Sequence, residues 1–224
     1  ISYEEKTPLK DLTLDNLFID IGAKNAEEAR RLVQIGDFAV YEAPRFEQNG
    51  VLCGPYLDNR IGCVTLLLMM EQLADKEIEN DLYFVFTAQE EVGLRGAGAA
   101  AFAVEPDAAI AVDVTDTGDL PEMKSAMAVE LGKGPAVKVM DRSVICTPAV
   151  VDALEQAAKD CGVSAQREIL LCGGTDTSAL QKARAGVQAG AVSIPTRYIH
   201  SPSEMCAVSD VEQAAALLAK FAIL

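Results

Sequence analysis

The chain has 224 residues, 19 basic against 34 acidic side chains, a net charge of −15 and a half share of apolar residues. That apolar share is ample for a core and excludes a disordered chain, while the acidic balance excludes the basic footprint of a nucleic-acid or anionic-membrane binder. The six cysteines (Cys53, Cys63, Cys146, Cys161, Cys172, Cys206) form no C-x-x-C pair. Most read as small buried hydrophobes, which argues against zinc-finger ligation and for a reducing, cytoplasmic setting. The longest apolar run, "VTLLLMM" at 64–70, is far too short to span a membrane. The chain opens on Ile1 rather than Met, and an upstream piece is expected.

Residues 1–56 hold short extended runs, "LFIDIG", "DFAVYEA" and "GVLCG", and one helix at "NAEEARRLVQ", with turns at Asn49-Gly50 and Gly54-Pro55. They read as part of a small β-rich domain. From Leu57 onward, in a domain spanning 57–224, helix and strand patterns alternate. "IGCVTLLLMMEQL" is apolar almost all round and is expected to be deeply buried. "DLYFVFTA" predicts a strand, with Phe84, Val85 and Phe86 inside. A small-residue helix "RGAGAAAFAVE" follows, then strands at "AAIAVDV" and "PAVKVM". The helix "TPAVVDALEQAAKDCG" has Thr147 as N-cap, Pro148 in the first turn and Gly162 as its stop. "REILL", the helix "TDTSALQKARAG", the strand "VQAGAVSIP" and a closing helix from Ser209 complete the chain. This alternation predicts an α/β fold: a three-layer α/β/α sandwich with a mixed, largely parallel sheet.

In such sheets ligands gather beyond the carboxyl ends of strands. There the sequence places Glu90-Glu91 after "YFVFTAQ", Asp113 after "AIAV" with Asp116 and Asp119 close behind, and the single histidine, His200, after "AVSIPTRYI". Asp58 sits where "GPYLDNR" enters the long helix. Four segments offering Asp, Glu or His at converging loops are the raw material of an oxygen-rich divalent-metal site. Each residue also has a plainer reading. Asp58 serves as a helix N-cap, Glu90-Glu91 as a solvated loop, Asp113 as a turn cap with Thr115, and His200 as a structural histidine. "CGGTD" at 172–176 reads equally as a tight strand-to-helix turn capped by Thr175 or Asp176. "GAGAAA" at 96–101 follows no strand directly, so close helix packing explains it better than a dinucleotide loop. No G-x-x-x-x-G-K-[ST], H-E-x-x-H or G-x-S-x-G occurs.

Six segments occur in a characteristic order: "YLDNRIGC", "FTAQEEVGLRGA", "AIAVDVTDTGDLP", "LGKGPA", "CGGTDTSA" and "SIPTRYIHSPSE". Together they resemble the glutamyl and deblocking aminopeptidases that form tetrahedral particles, a dinuclear metallopeptidase family often mislabelled as endoglucanases. The resemblance runs from about residue 17 to the C-terminus. It implies that Asp58 bridges two divalent ions, zinc or cobalt, with Glu91 and His200 completing one set of ligands and Asp113 binding the other ion. Glu90 would be the general base toward the water that both ions share. The substrates would be short peptides, trimmed from the N-terminus. The partners would be further copies of the chain, from a dimer to a dodecamer, through a β-rich domain of which 1–56 looks like the second half.

One departure stands out. The family adds a histidine in an upstream H-x-D segment, and this chain has no second histidine. The rival readings are therefore a non-catalytic fragment or paralogue with an incomplete metal site, and an amidohydrolase of the same clan acting on a non-peptide amide. A glycosidase is disfavoured, because these carboxylates come with a histidine rather than flanking a sugar site.

Overall fold

The computed structural model describes Thr13, residues 16–121 and residues 127–224. The chain divides into two compact units, Ile1–Val40 and Tyr41–Leu224. In the first, helix α1 (Ala26–Leu32) falls within the expected segment. Asn25 caps it, its side chain accepting from the Glu28 amide, and Glu27 pairs with Arg31 one turn on. None of its residues is buried. The predicted strands at "LFIDIG" and "DFAVYEA" are not strands here, and Phe18, Ile19, Phe38, Val40 and Tyr41 are exposed. Period-two patterning makes a chain extended, but a strand also needs a neighbour to take its backbone bonds.

The second unit runs β1 (Phe46–Gln48), β2 (Val51–Gly54), α2 (Leu57–Leu73), α3 (Arg95–Val104), β3 (Ala108–Thr115), β4 (Ala136–Met140), α4 (Pro148–Cys161), β5 (Gln166–Ile169), α5 (Thr177–Gln181), β6 (Gln188–Arg197), β7 (Glu204–Ala207) and α6 (Val208–Phe221). The mixed sheet is ordered β1-β2-β7-β6-β4-β5, with β3 also on β6. β3 lies parallel to β6 from Ala108↔Gln188 to Thr115↔Pro195, and β4 lies parallel to β5. The pairs β4–β6, β6–β7, β2–β7 and β1–β2 are antiparallel. Through β2 and β7, residues 46–54 belong to the same sheet as the rest of this unit.

Alternation along β3 builds the layers. Ile110, Val112 and Val114 join the main core with Ile61, Leu154, Val192 and Leu217, where α2, α4 and α6 pack. Ala109 joins a smaller cluster with Ala101, Ala183 and Val187, where α3 meets α5. α4 follows the expected plan, with Pro148 in its first turn and Gly162 closing it in the left-handed region at φ 71°. The Thr147 hydroxyl, however, accepts from the Ala189 amide rather than capping the helix.

Several expectations fail in one region. Residues 81–88 carry no ladder, and Tyr83, Val85 and Phe86 are exposed. α2 buries Leu57, Ile61, Thr65, Met69 and Leu73, but Cys63, Val64 and Leu67 face solvent. Among the described residues nothing covers these surfaces, so apolar composition alone overstated their burial. Cys53, Cys146 and Cys206 are buried, whereas Cys63, Cys161 and Cys172 are exposed.

Beneath the carboxyl ends of β3, β4 and β5 lies a charged cluster. Lys138 Nζ is 2.9 Å from Glu168 and 3.3 Å from Asp141, all three side chains fully buried. The Thr115 hydroxyl donates to the same Glu168 oxygen at 2.9 Å. Burial opposes the charge on Lys138, but the Glu168 and Asp141 carboxylates outweigh it and raise its pKa. Removing one partner of a buried pair leaves the others uncompensated. Lys138→Met should therefore destabilise the fold by about 3–5 kcal/mol in denaturant titration.

Candidate metal centre

Asp58 enters the site through a broken helix start. Tyr56 is in the left-handed region at φ 59°, and Asp58 and Asn59 have non-helical backbone angles. The capping task expected of Asp58 falls to Asn59. Its Oδ1 accepts from the Gly62 amide at 3.1 Å, and its Nδ2 donates to the Val112 carbonyl at 2.8 Å, next to Asp113. Gly62 is required here, because a Cβ would lie 2.3 Å from Asn59 Oδ1 and 2.9 Å from that carbonyl. The Asp58 carboxylate is left free for the site.

Glu90 and Glu91 stand in a tight turn whose Gly93 and Leu94 amides donate to the Glu90 carbonyl. The start of α3 packs back onto the residues before them, with no room for a Cβ on Gly96, 2.6 Å from the Ala88 amide nitrogen. His200 Nε2 lies 3.2 Å from Asp58 and 3.3 Å from Glu91. One ligand atom from each of Asp58, Glu91 and His200 lies within 4.8 Å of the others. Asp113 is buried at the end of β3 and accepts from the Val114 amide at 2.8 Å. It lines the same 760 Å³ cavity as Glu90 and those three residues, but it is not part of their cluster.

The electrostatics report crowded negative charge. Burial, then the neighbouring Glu91, raises Asp58 to about 6. Burial, then Asp176 and Glu91, raises Glu90 to about 7. Burial lifts Asp113 well above the usual carboxylate range, with Asp58 and Glu90 adding to it.

Three further residues shape the site, and only the fold shows their roles. The buried Glu204 carboxylate accepts the Asp58 amide on one oxygen and the His200 amide on the other, each at 3.0 Å. Asp176, in the turn of uncertain purpose, accepts the Thr87 hydroxyl at 2.7 Å and sets its charge near Glu90. Asp119 accepts a fork from Arg197 at 3.1 and 2.6 Å and the Leu131 amide at 3.1 Å, tying the loop after β3 to the strand that leads to His200. Burial works against the ionised Asp119, yet the Arg197 bonds outweigh it and hold the pKa at about 2. The segment "IHSPSE" names the glutamate, but nothing in it shows two amides arriving from opposite ends of the domain.

Comparison with known proteins places this arrangement. The family model of M42 glutamyl aminopeptidases matches residues 2–217. The chain belongs to the M42 glutamyl aminopeptidase family. A protein of Acetivibrio thermocellus that carries an aminopeptidase name is 48% identical over 97% of this chain and 66% of its own length. The solved structure of an aminopeptidase from the archaeon Desulfurococcus kamchatkensis matches with a TM-score of 0.91 and 36% identity, over 97% of this chain and 63% of that one. The Pyrococcus horikoshii TET1 peptidase, described as assembling into a tetrahedron or a large octahedral shell, matches with a TM-score of 0.81 and 34% identity, over 98% and 66%. The chain spans 56 to 66% of the length of the curated relatives it matches.

Two outcomes follow if this candidate centre holds a divalent ion. Glu204→Gln can accept only one of the two amides, so metal affinity should fall about 10- to 100-fold in a zinc or cobalt titration. Burial and neighbouring carboxylates hold the Asp58 and Glu90 carboxyls above their ordinary values, at about 6 and about 7. Such groups favour the folded state when protonated, and that contribution is lost as pH rises through about 6 to 7. The metal-free protein should thus melt at lower temperature at pH 8 than at pH 5, and added divalent ion should restore the loss at pH 8.

Proposed function

We propose that this chain carries the catalytic site of a metal-dependent aminopeptidase that removes N-terminal residues from short peptides. One observation carries the reading: two carboxylates and an imidazole converge within 4.8 Å, with Glu90 beside them in the same cavity. The donor set suits a borderline divalent ion such as zinc or cobalt, and the upward shifts of Asp58, Glu90 and Asp113 mark negative charge that a cation would relieve. Asp58, Glu91 and His200 would hold one ion, and Asp58 with Asp113 a second. Bound there, such ions would polarise a peptide carbonyl and lower the pKa of water.

The protein's own part centres on Glu90. Half-buried in the same cavity, it is placed to take a proton from water and return it to the leaving amine. Burial, then the Asp176 charge, raises the proton affinity of Glu90 in the metal-free protein, and Glu204 holds Asp58 and His200 in register. The acidic wall of Asp58, Glu90, Glu91 and Asp113 suits a free α-ammonium, which is what makes an exopeptidase count from the N-terminus.

The likeness to TET1 supports assembly into a closed homo-oligomer, with residues 1–56 contributing to subunit contacts. Its exposed Phe18, Ile19, Ile35 and Phe38 fit such burial. No helix among the described residues is long and apolar enough to cross a membrane, and the free thiols fit a reducing cytoplasm. A second reading, metal binding without turnover, draws on the single histidine, which leaves Asp113 without an imidazole partner from this chain.

The test measures bound metal together with turnover of leucyl-, glutamyl- and lysyl-p-nitroanilide, with and without cobalt. Glu90→Gln should lower turnover at least about 100-fold while metal content stays the same. Bound metal with no turnover by the unaltered chain would favour the second reading.

A further inference from the structure

The cavity is lined by side chains of both charges. Five carboxylates line it (Asp58, Glu90, Glu91, Asp113 and Asp116), and against them stands one arginine, Arg142. Arg142 is exposed and shares this cavity with all five carboxylates. Arg142 makes no ion pair among the described residues.

The reason lies in how its backbone is held. The Asp141 amide donates to the Val144 carbonyl, and the Cys146 amide donates to the Val139 carbonyl, both at 3.0 Å. Arg142 and Ser143 are therefore the two tip residues of a tight hairpin turn at the end of β4. Inside the turn, Asp141 is buried. Its Oδ1 accepts the Ser143 amide at 2.7 Å, the Ser143 hydroxyl at 2.8 Å and the Val144 amide at 3.0 Å. Its Oδ2 accepts from Lys138, which binds Glu168 in turn. The Gly173-Gly174 turn closes against the other side, where a Cβ on Gly174 would stand 2.6 Å from the Ser143 hydroxyl. The fully buried charges below β4 thus fix a solvent-facing arginine on the cavity wall.

We propose that Arg142 is the carboxylate receptor of this cavity, so that the favoured ligands are short peptides whose ammonium meets the carboxylates and whose own carboxylate meets the 141–144 turn. The guanidinium offers a planar fork of donors that matches a carboxylate. This rests on the aminopeptidase reading for the ammonium end only. The carboxylate has two possible sources, the free C-terminus of a dipeptide or an acidic side chain, and the recognising chemistry is the same. Ser143 adds little, because its hydroxyl and amide are both committed to Asp141.

The experiment compares the unaltered chain with Arg142→Ala and Arg142→Lys, all loaded with cobalt. One ratio is kcat/KM for Leu-Gly over Leu-Gly amide, and the other is glutamyl- over leucyl-p-nitroanilide. Binding of Leu-Gly and its amide is also measured by calorimetry on the Glu90→Gln background, so that the result does not depend on turnover. Arg142→Ala should lower at least one ratio about fivefold, the scale of a solvent-screened charge pair, and Arg142→Lys should retain part of it. A fall in the first ratio assigns the receptor to the C-terminus, and a fall in the second to an acidic side chain. If the chain turns over nothing but calorimetry shows the same loss for Leu-Gly against its amide, the carboxylate site stands and the aminopeptidase reading falls. If both ratios and the binding difference are unchanged in Arg142→Ala, or if neither dipeptide binds, the assignment is overturned.

Discussion

The geometry of the centre depends on one buried carboxylate. Glu204, at the first position of β7, takes the Asp58 amide on one oxygen and the His200 amide on the other. Those residues are separated by most of the chain, and both have irregular backbone: Asp58 in a broken helix start, His200 in the left-handed region at φ 61°. Irregular segments lack the repetitive ladder that locates a helix or strand residue. A charged acceptor that binds both amides replaces the ladder, and such bonds are stronger than neutral ones. Asn59 repeats the device on a smaller scale, tying the same helix start to the Val112 carbonyl and so to the neighbourhood of Asp113.

Two groups of buried charge sit side by side and differ in compensation. Below the sheet ends, Lys138 stands between Glu168 and Asp141, with Thr115 and the 141–144 turn supplying further bonds. That cluster is nearly complete and acts as a rigid footing, with one Glu168 oxygen left without a partner. Beside it, Asp58, Glu90 and Asp113 line one cavity with no lysine or arginine paired to them among the described residues, and burial followed by neighbouring carboxylates raises their affinity for protons. A protein tolerates such crowding where a ligand's charge completes the balance. The footing and the crowded site meet at Arg142, where the rigid cluster determines what the open cavity presents.

The three residues that converge, Asp58, Glu91 and His200, could be picked out before the fold was known. The sequence pattern put Asp113 and His200 at strand ends, where the sheet rule says to look, and put Glu90-Glu91 after an expected strand that carries no ladder in the structure. The paired parallel register of β3 and β6 then brings the segments after Thr115 and Arg197 to one edge. What composition misjudged was burial. Phe86, Val85 and the outer face of α2 are apolar yet exposed, because burial belongs to a pair of surfaces and a sequence states only one of them. The same holds for "LFIDIG" and "DFAVYEA", whose extended patterns have no ladder among the described residues.

By itself the sequence determined the α/β class, through periodicity, and the residue types that could hold a divalent ion, through the chemistry of short contiguous motifs, while the family was legible from the likeness of those motifs to known proteins. Only the tertiary structure decided that Asp58, Glu91 and His200 converge while Asp113 stands apart from them in the same cavity. It alone passed the capping role from Asp58 to Asn59, and made Glu204 and the Lys138 cluster the supports of the site. The physical reason is range: propensity and patterning act over a few residues, whereas a hydrogen bond from Asp58 to Glu204 exists only once the sheet has brought residues 146 apart into contact.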